Sequence, residues 1–240
     1  MTAVKRNWPK RIFCALAFSF LAFLVALAAF YIWLRASAAD AAHLPPLQNG
    51  DLVFNTSPAQ QSLAIMLASQ SSLTHMGIVR LDENGQPFVL EASATVRETP
   101  LQAWIDTGVA GRLHVMRLKE KPDAKSLQKA FDWIEKQKGK PYDIFFMDED
   151  DRFYCSELVY DALVAGGGTV IGTPQKIADL KLDSAPVRKL VAERWQKHPL
   201  CREGKAADVD ACFDILKQQN LITPASMAAD DKLTVVYSNY

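Results

Sequence analysis

A cysteine opens a helical pattern in the run Tyr154-Cys155-Ser156-Glu157-Leu158-Val159. Leu158, Val159, Ala162 and Leu163 recur at helix spacing, and Gly166-Gly167-Gly168 ends the pattern. A first-turn cysteine sits at the positive end of the helix dipole, which favours thiolate over thiol. The thiolate is a nucleophile, so the chemistry this position offers is attack on a carbonyl. The competing reading is a small buried apolar residue, which is what most cysteines are.

A cysteine nucleophile needs a base within reach and a third group to orient that base. There are four histidines. His43 lies in an Ala- and Pro-rich stretch, His198 stands beside Pro199 in a charged segment, and His114 sits inside an alternating strand. His75 begins a strand next to Ser72 and Thr74, where a side chain reaches a cleft at a sheet edge, and it is the candidate base. Glu91 is the acidic residue in the apolar run Phe88-Val89-Leu90-Glu91-Ala92 and must be solvated or paired there. On a strand beside that of His75, its carboxylate would meet the imidazole across the ladder and hold its tautomer. The alternative is an edge-strand glutamate in water.

The elements that must position these groups follow from patterning. Gly50–Phe54 reads as a first strand and Ala59–Ser69 as a weak helix. His75–Leu81 and Pro87–Ala92 are strands joined by the turn Asp82-Glu83-Asn84-Gly85, which makes a hairpin. Gly111–Leu118 alternates as a strand. Ser126–Lys138 is an amphipathic helix carrying Leu127, Ala130, Phe131 and Ile134 on its inner face. Residues 169–232 are mostly helical by pattern, and Thr234–Tyr237 is a last short strand. The mixture predicts an α+β domain, an antiparallel sheet with helices packed on it.

The chain has 240 residues, with 27 basic and 27 acidic side chains. This balance argues against nucleic acid as a partner, since no basic excess exists to neutralise phosphates. Ile12–Leu34 carries no charge, and as a helix it spans roughly 34 Å, enough to cross a bilayer. Lys5, Arg6, Lys10 and Arg11 precede it, which orients the N-terminus to the cytoplasm and everything after Leu34 to the far side. An uncleaved signal anchor over residues 1–35 fits its length. The rival reading is a signal peptide cut after Ala36-Ser37-Ala38. Either way the rest is exported, as a linker over 36–49 and one domain over 50–240, with 169–240 an extension of unassigned role. In an oxidising compartment Cys201 and Cys212 are expected to pair, the alternative being two independent thiols. No H-E-x-x-H, no glycine-rich phosphate loop and no fitting Cys/His ligand set occurs, so neither cofactor nor metal is expected.

Five blocks in order then make a resemblance. They are Gly50-Asp51-Leu52-Val53-Phe54, Thr74-His75-Met76-Gly77-Ile78-Val79, Leu90-Glu91-Ala92, Gly139-Lys140-Pro141-Tyr142-Asp143 and Tyr154-Cys155-Ser156-Glu157-Leu158-Val159. Over residues 50–165 the chain resembles the YiiX-like family, the circularly permuted branch of the NlpC-type papain-like cysteine hydrolases. The resemblance implies a permuted papain-like fold in which the histidine strand precedes the cysteine helix. It implies Cys155 as nucleophile, His75 as base and Glu91 as orienting residue. It also implies that Tyr142 lines the cleft or assists the oxyanion, beside the Cys155 N–H as oxyanion donor. Asp51 matches its block but is expected to fix a turn.

Three functions remain open at this point. One is an amidase or peptidase, for instance on cell-wall peptides. Another is a lipid acyl hydrolase or acyltransferase, similar to lecithin retinol acyltransferase. The third is a binding module without turnover. Apolar walls in the cleft would mark an acyl substrate, and carboxylate or amine partners a peptide.

Overall fold

The computed structural model describes residues 8–148, 151–167, 169–202 and 204–240. The chain divides into two units, residues 1–38 and 39–240. The first holds helix α1 (Trp8–Ala36), whose stretch Ala15–Ile32 has a mean hydropathy of 2.4, long and apolar enough to cross a membrane. Phe13, Leu16, Phe18 and Leu21 on it are exposed. Of the basic residues expected to orient it, Lys5 and Arg6 lie outside the described residues.

The second unit is α+β. Its elements begin with β1 (Leu52–Asn55), α2 (Ser62–Ser69), β2 (His75–Leu81), β3 (Pro87–Ala92), β4 (Val96–Pro100), α3 (Leu101–Thr107) and β5 (His114–Leu118). Next come α4 (Ala124–Gln137), α5 (Cys155–Gly167), β6 (Gln175–Lys176), α6 (Ala185–Arg194), α7 (Val209–Leu216), β7 (Asn220–Leu221), α8 (Pro224–Ala228) and β8 (Leu233–Ser238). Six strands form one sheet in the order β4-β3-β2-β1-β5-β8, antiparallel throughout. β6 and β7 pair separately.

Strand alternation splits the side chains between two cores. On one face Leu52, Phe54, Met76, Ile78 and Leu90 meet Leu127, Ile134, Leu158 and Val159 from α4 and α5. On the other, Val53, Val79, Val89 and Val115 meet Leu101, Trp104 and Ile105 from α3. Helix α5 packs closely on α4 at Gly166, where a Cβ would stand 2.6 Å from the Ser126 carbonyl oxygen. Gly166 and Gly167 belong to α5, while Gly168, the third glycine of the expected stop, lies outside the described residues.

The hairpin and the helices flanking the site follow the sequence pattern. Strand β4 and helix α3 are additions that the pattern did not yield. Val96-Arg97-Glu98-Thr99 carries polar residues on both faces and ends at Pro100, which hides its period of two. Ala39 to Leu47, inside the stretch expected as a linker, lies against the α3 face, with Ala39 N–H donating to Gly111 O at 2.9 Å. Strand β8, Ile171, Ile222 and Met227 tie the C-terminal third into the sheet and its core.

Asp51 does fix a turn. Its Oδ2 accepts the Gln48 N–H at 2.8 Å, and its carboxylate pairs with Arg117 at 2.6 Å. Cys201 and Cys212 are bonded, with Cα atoms 5.3 Å apart. This staple joins the segment after α6 to α7 and anchors a small apolar cluster with Ala206 and Leu216. Replacing both cysteines with serine is expected to cost about 2–4 kcal/mol. Thermal melts of the two proteins without reductant check this, and equal midpoints would show that the staple contributes nothing.

Candidate active site

Cys155 is the first residue of α5 and is 4 % exposed. It is held there because Leu158, Val159, Ala162 and Leu163 bury one stripe of the helix in the core. The turn is pinned at both ends. Glu157 accepts the Tyr154 N–H at 3.0 Å, half of a capping box. Ser156 Oγ donates to Ile222 O at 2.9 Å, and Tyr154 Oη accepts the Ile222 N–H at 3.1 Å. Burial pushes the Glu157 carboxyl up to about 9, despite the Tyr154 N–H, so it is neutral at pH 7.

His75 is the first residue of β2, at the end of the sheet nearest Cys155, and pairs with Asn55 of β1. Its Nε2 lies 2.6 Å from Glu91 Oε2. This leaves Nδ1 to face Cys155, whose sulfur is close enough for each group to shift the other's titration. The expected meeting across the hairpin occurs on a diagonal. The β2–β3 register pairs Ile78 with Leu90, so the position opposite Glu91 is Gly77 and not His75. Gly77 has no side chain, and a Cβ there would sit 2.4 Å from Val89 Cγ1 and 2.8 Å from Leu90 O. The glutamate therefore leans along an unobstructed face toward the imidazole.

Glu91 is 2 % exposed, and every lone-pair direction is used. Oε1 accepts from Thr99 Oγ1 at 2.7 Å and Arg97 Nε at 3.0 Å. Oε2 accepts from Trp104 Nε1 at 3.0 Å as well as from His75. The Trp104 ring also stacks on the imidazole, with centroids 5.8 Å apart. Thr99 and Trp104 were not among the sequence candidates, because they belong to β4 and α3. Trp104 has only a short signal, Leu101, Trp104 and Ile105 at i, i+3 and i+4 within seven residues, and Thr99 has none.

These contacts set the charges. Burial disfavours the His75 cation, but hydrogen bonds to Cys155 and Glu91 and their charges outweigh it and raise its pKa to about 10. Burial would raise Glu91 too, yet His75, Thr99 and Arg97 hold it at about 2. Burial also raises the Cys155 thiol, and the hydrogen bond and charge of His75 with the Met76 N–H bring it below its ordinary value. The groups titrate as a unit: His75 is held cationic and Glu91 ionised at neutral pH, and the Cys155 thiol is drawn toward the thiolate. The His75 contribution to stability is full below about 6.5 and lost as pH rises through about 10. The Glu91 contribution is full above about 4.5 and lost as pH falls through about 2.

Tyr142 lies beside this set. The loop that carries it is held by Tyr142 N–H to Ala94 O at 3.1 Å and by a bridge to Phe153. Burial and the neighbouring Cys155 charge push the phenol far up, so it stays protonated and able to donate. Gln61 Nε2 reaches the Tyr142 oxygen at 3.4 Å, and Arg194 Nη2 holds Gln61 Oε1 at 2.7 Å. The structure therefore gathers Cys155, His75, Glu91 and Tyr142 in one place. Among the described residues no three His, Cys, Asp or Glu side chains are grouped to ligate a metal ion.

A model of the family described as "permuted papain-like amidase enzyme, YaeF/YiiX, C92 family" matches residues 46–237. The chain is 36 % identical over 168 residues to "Uncharacterized protein YiiX" of Escherichia coli (strain K12), spanning 70 % of this chain and 82 % of that protein. It is also similar to a solved structure, described as "Crystal structure of metalloprotein yiiX from Escherichia coli O157:H7, DUF1105". There the TM-score is 0.70 at 30 % identity, over 81 % of this chain and 98 % of that one.

The paired charge state makes a prediction. Alkylation of wild-type Cys155 by iodoacetamide is expected to titrate with a midpoint below the ordinary thiol value near 9. In His75→Ala the midpoint should rise by about one unit or more. Rates measured across pH check this, and an unmoved midpoint contradicts the pairing.

Proposed function

This chain belongs to the family of permuted papain-like amidases of the YaeF/YiiX type, and from that premise we propose that it hydrolyses an amide bond through a thioester on Cys155. The observation that carries the proposal is the buried Glu91–His75 hydrogen bond, with the imidazole set beside a helix-first cysteine. In this reading Cys155 is the nucleophile, His75 the general base and acid, Glu91 the orienting residue and Tyr142 a cleft-lining donor.

The Cys155 thiolate attacks the carbonyl carbon, forming the S–C bond. Negative charge moves to the carbonyl oxygen, where the Cys155 N–H at the helix start and the Tyr142 hydroxyl can donate. The C–N bond then breaks, and the imidazolium proton goes to the departing nitrogen. The amine leaves. Neutral His75 next takes a proton from water, whose oxygen attacks the thioester. Expulsion of the thiolate restores the starting pair and releases a carboxylic acid. Glu91 keeps the imidazole in place throughout, and its four donors hold it ionised.

The solved Escherichia coli relative is described as a metalloprotein. Here the donor set does not fit a metal, since His75 is engaged by Glu91 and Cys155 and, among the described residues, no further ligands converge on them. The domain is proposed to act on the exported side of a membrane, tethered by α1. The apolar span of that helix and the Cys201–Cys212 bond support this. Peptide amides, including those of cell-wall peptides, and acyl-bearing substrates are the two classes in play.

Full-length protein should release amine from an amide substrate, and Cys155→Ala should abolish this. Glu91→Gln should lower kcat by about 10²-fold, since it removes the charge that sustains the imidazolium. Incubation with wall fragments and with phospholipids, followed by mass analysis of products, checks the class. Undiminished turnover by Cys155→Ala contradicts the proposal.

A further inference from the structure

The C-terminal third, which the sequence leaves without a role, grips the loop that carries Tyr142. Arg194, the last residue of α6, donates from Nη1 to Ile144 O at 2.6 Å. Gln219, just after α7, donates from Nε2 to Phe145 O at 3.1 Å and also to Phe146 O. The His198 ring stands edge-on to Phe145, with centroids 5.0 Å apart. Phe146 has a φ of 56°, left-handed backbone that a side chain disfavours, so the loop takes this course because it is held there.

The same arginine reaches Tyr142 by a second route. Its Nη2 donates to Gln61 Oε1 at 2.7 Å, and Gln61 Nε2 donates to the Tyr142 oxygen at 3.4 Å. The second bond is long, as catalytic contacts often are before substrate binds. Its direction is fixed all the same. A guanidinium has no acceptor, so the oxygen end of the Gln61 amide faces Arg194 and the nitrogen end faces Tyr142. A phenol oxygen that accepts from Gln61 turns its own hydrogen elsewhere. With the amide reversed, Tyr142 would donate to Gln61 Oε1, and its hydrogen would be taken up there. Tyr142 borders both the apolar cavity against Cys155 and the cleft beside His75. A carbonyl attacked by the one and protonated through the other must lie where these two spaces meet.

Resting on the thioester reading, we infer that Arg194 and Gln61 are positioning residues that aim the Tyr142 hydroxyl at the substrate carbonyl oxygen. Arg194 sets the amide of Gln61, Gln61 sets the rotation of the Tyr142 O–H, and Tyr142 alone meets the reacting group. An oxyanion donor is effective when it already points at the charge that will develop. Loss of the aim therefore costs rate even where the tyrosine stays in place. The C-terminal third is in this way part of the catalytic assembly.

Two reactions of the same thiolate separate the aim from the nucleophile. p-Nitrophenyl acetate acylates it: sulfur bonds to the carbonyl carbon, an oxyanion forms, and on its collapse p-nitrophenolate leaves with the C–O electron pair. Iodoacetamide alkylates it: sulfur bonds to the methylene carbon and iodide leaves with the C–I pair, so no oxyanion forms. The ratio of the two rates, taken at one pH on full-length protein with Cys155→Ala as blank, cancels the thiolate fraction. Tyr142→Phe should lower the ratio by about 10²-fold. Gln61→Glu should lower it as far, because its carboxylate keeps Arg194 but gives Tyr142 an acceptor in place of a donor. Arg194→Ala should lower it by about tenfold. With Gln61→Glu and Tyr142→Phe combined, the loss should equal that of Tyr142→Phe alone. A ratio that Tyr142→Phe or Gln61→Glu leaves unchanged, or losses that multiply in the double variant, overturns the inference. If Arg194→Ala fails to fold, Gln61→Glu and the double variant decide. Wild type that is alkylated but never acylated overturns the thioester reading itself.

Discussion

The site depends on one carboxylate kept charged inside the protein. Glu91 is withdrawn from water, and an isolated ion there would cost several kcal/mol. Four donors from three elements offset that cost: His75 on β2, Arg97 and Thr99 on β4, and Trp104 on α3. Because the carboxylate stays ionised, the imidazole beside it stays cationic, and the cationic imidazole draws the buried thiol of Cys155 toward its thiolate. Remove the first charge and burial would return each group in turn to its neutral form.

The fold reads as the means of assembling this set from both sides of one sheet. Glu91, Trp104 and the valines beneath α3 belong to one core, whereas Cys155 and its helix belong to the other. His75 joins them because it is the first residue of its strand, where the sheet ends and a ring can reach past the edge. The chain order of histidine strand, glutamate strand, cysteine helix suits this: the hairpin forms locally, and α5 closes onto its open end later in the sequence. Gly77 and Gly166 serve the same assembly. The first leaves Glu91 an open path to the imidazole, and the second lets α5 press against α4.

The hairpin was legible because a strong turn separates two clean apolar strands, and it alone brought His75 near Glu91. The helix beginning at Cys155 was legible from four apolar positions and a glycine stop. The family resemblance supplied Tyr142, which no periodicity would single out. What escaped was the support of the carboxylate. Arg97 and Thr99 sit on a five-residue strand whose charges fall on both faces, and Trp104 on a helix of seven residues, too short for periodicity to stand out. The diagonal geometry also escaped, since register is set by backbone pairing and not by which side chains attract. The apolar cavity against Cys155 escaped too, because α2 on one side of it lies more than a hundred residues in sequence from α6 and α7 on the other.

The central claim is that His75 is an imidazolium at neutral pH, held between the Glu91 carboxylate and the Cys155 sulfur. Nitrogen-15 NMR of the histidine rings at pH 7, with His75→Gln used to assign the signals, tests it most directly. The account predicts that both ring nitrogens of His75 are protonated and remain so until the pH approaches about 10. A neutral His75 ring at pH 7, with one bare nitrogen, would contradict it.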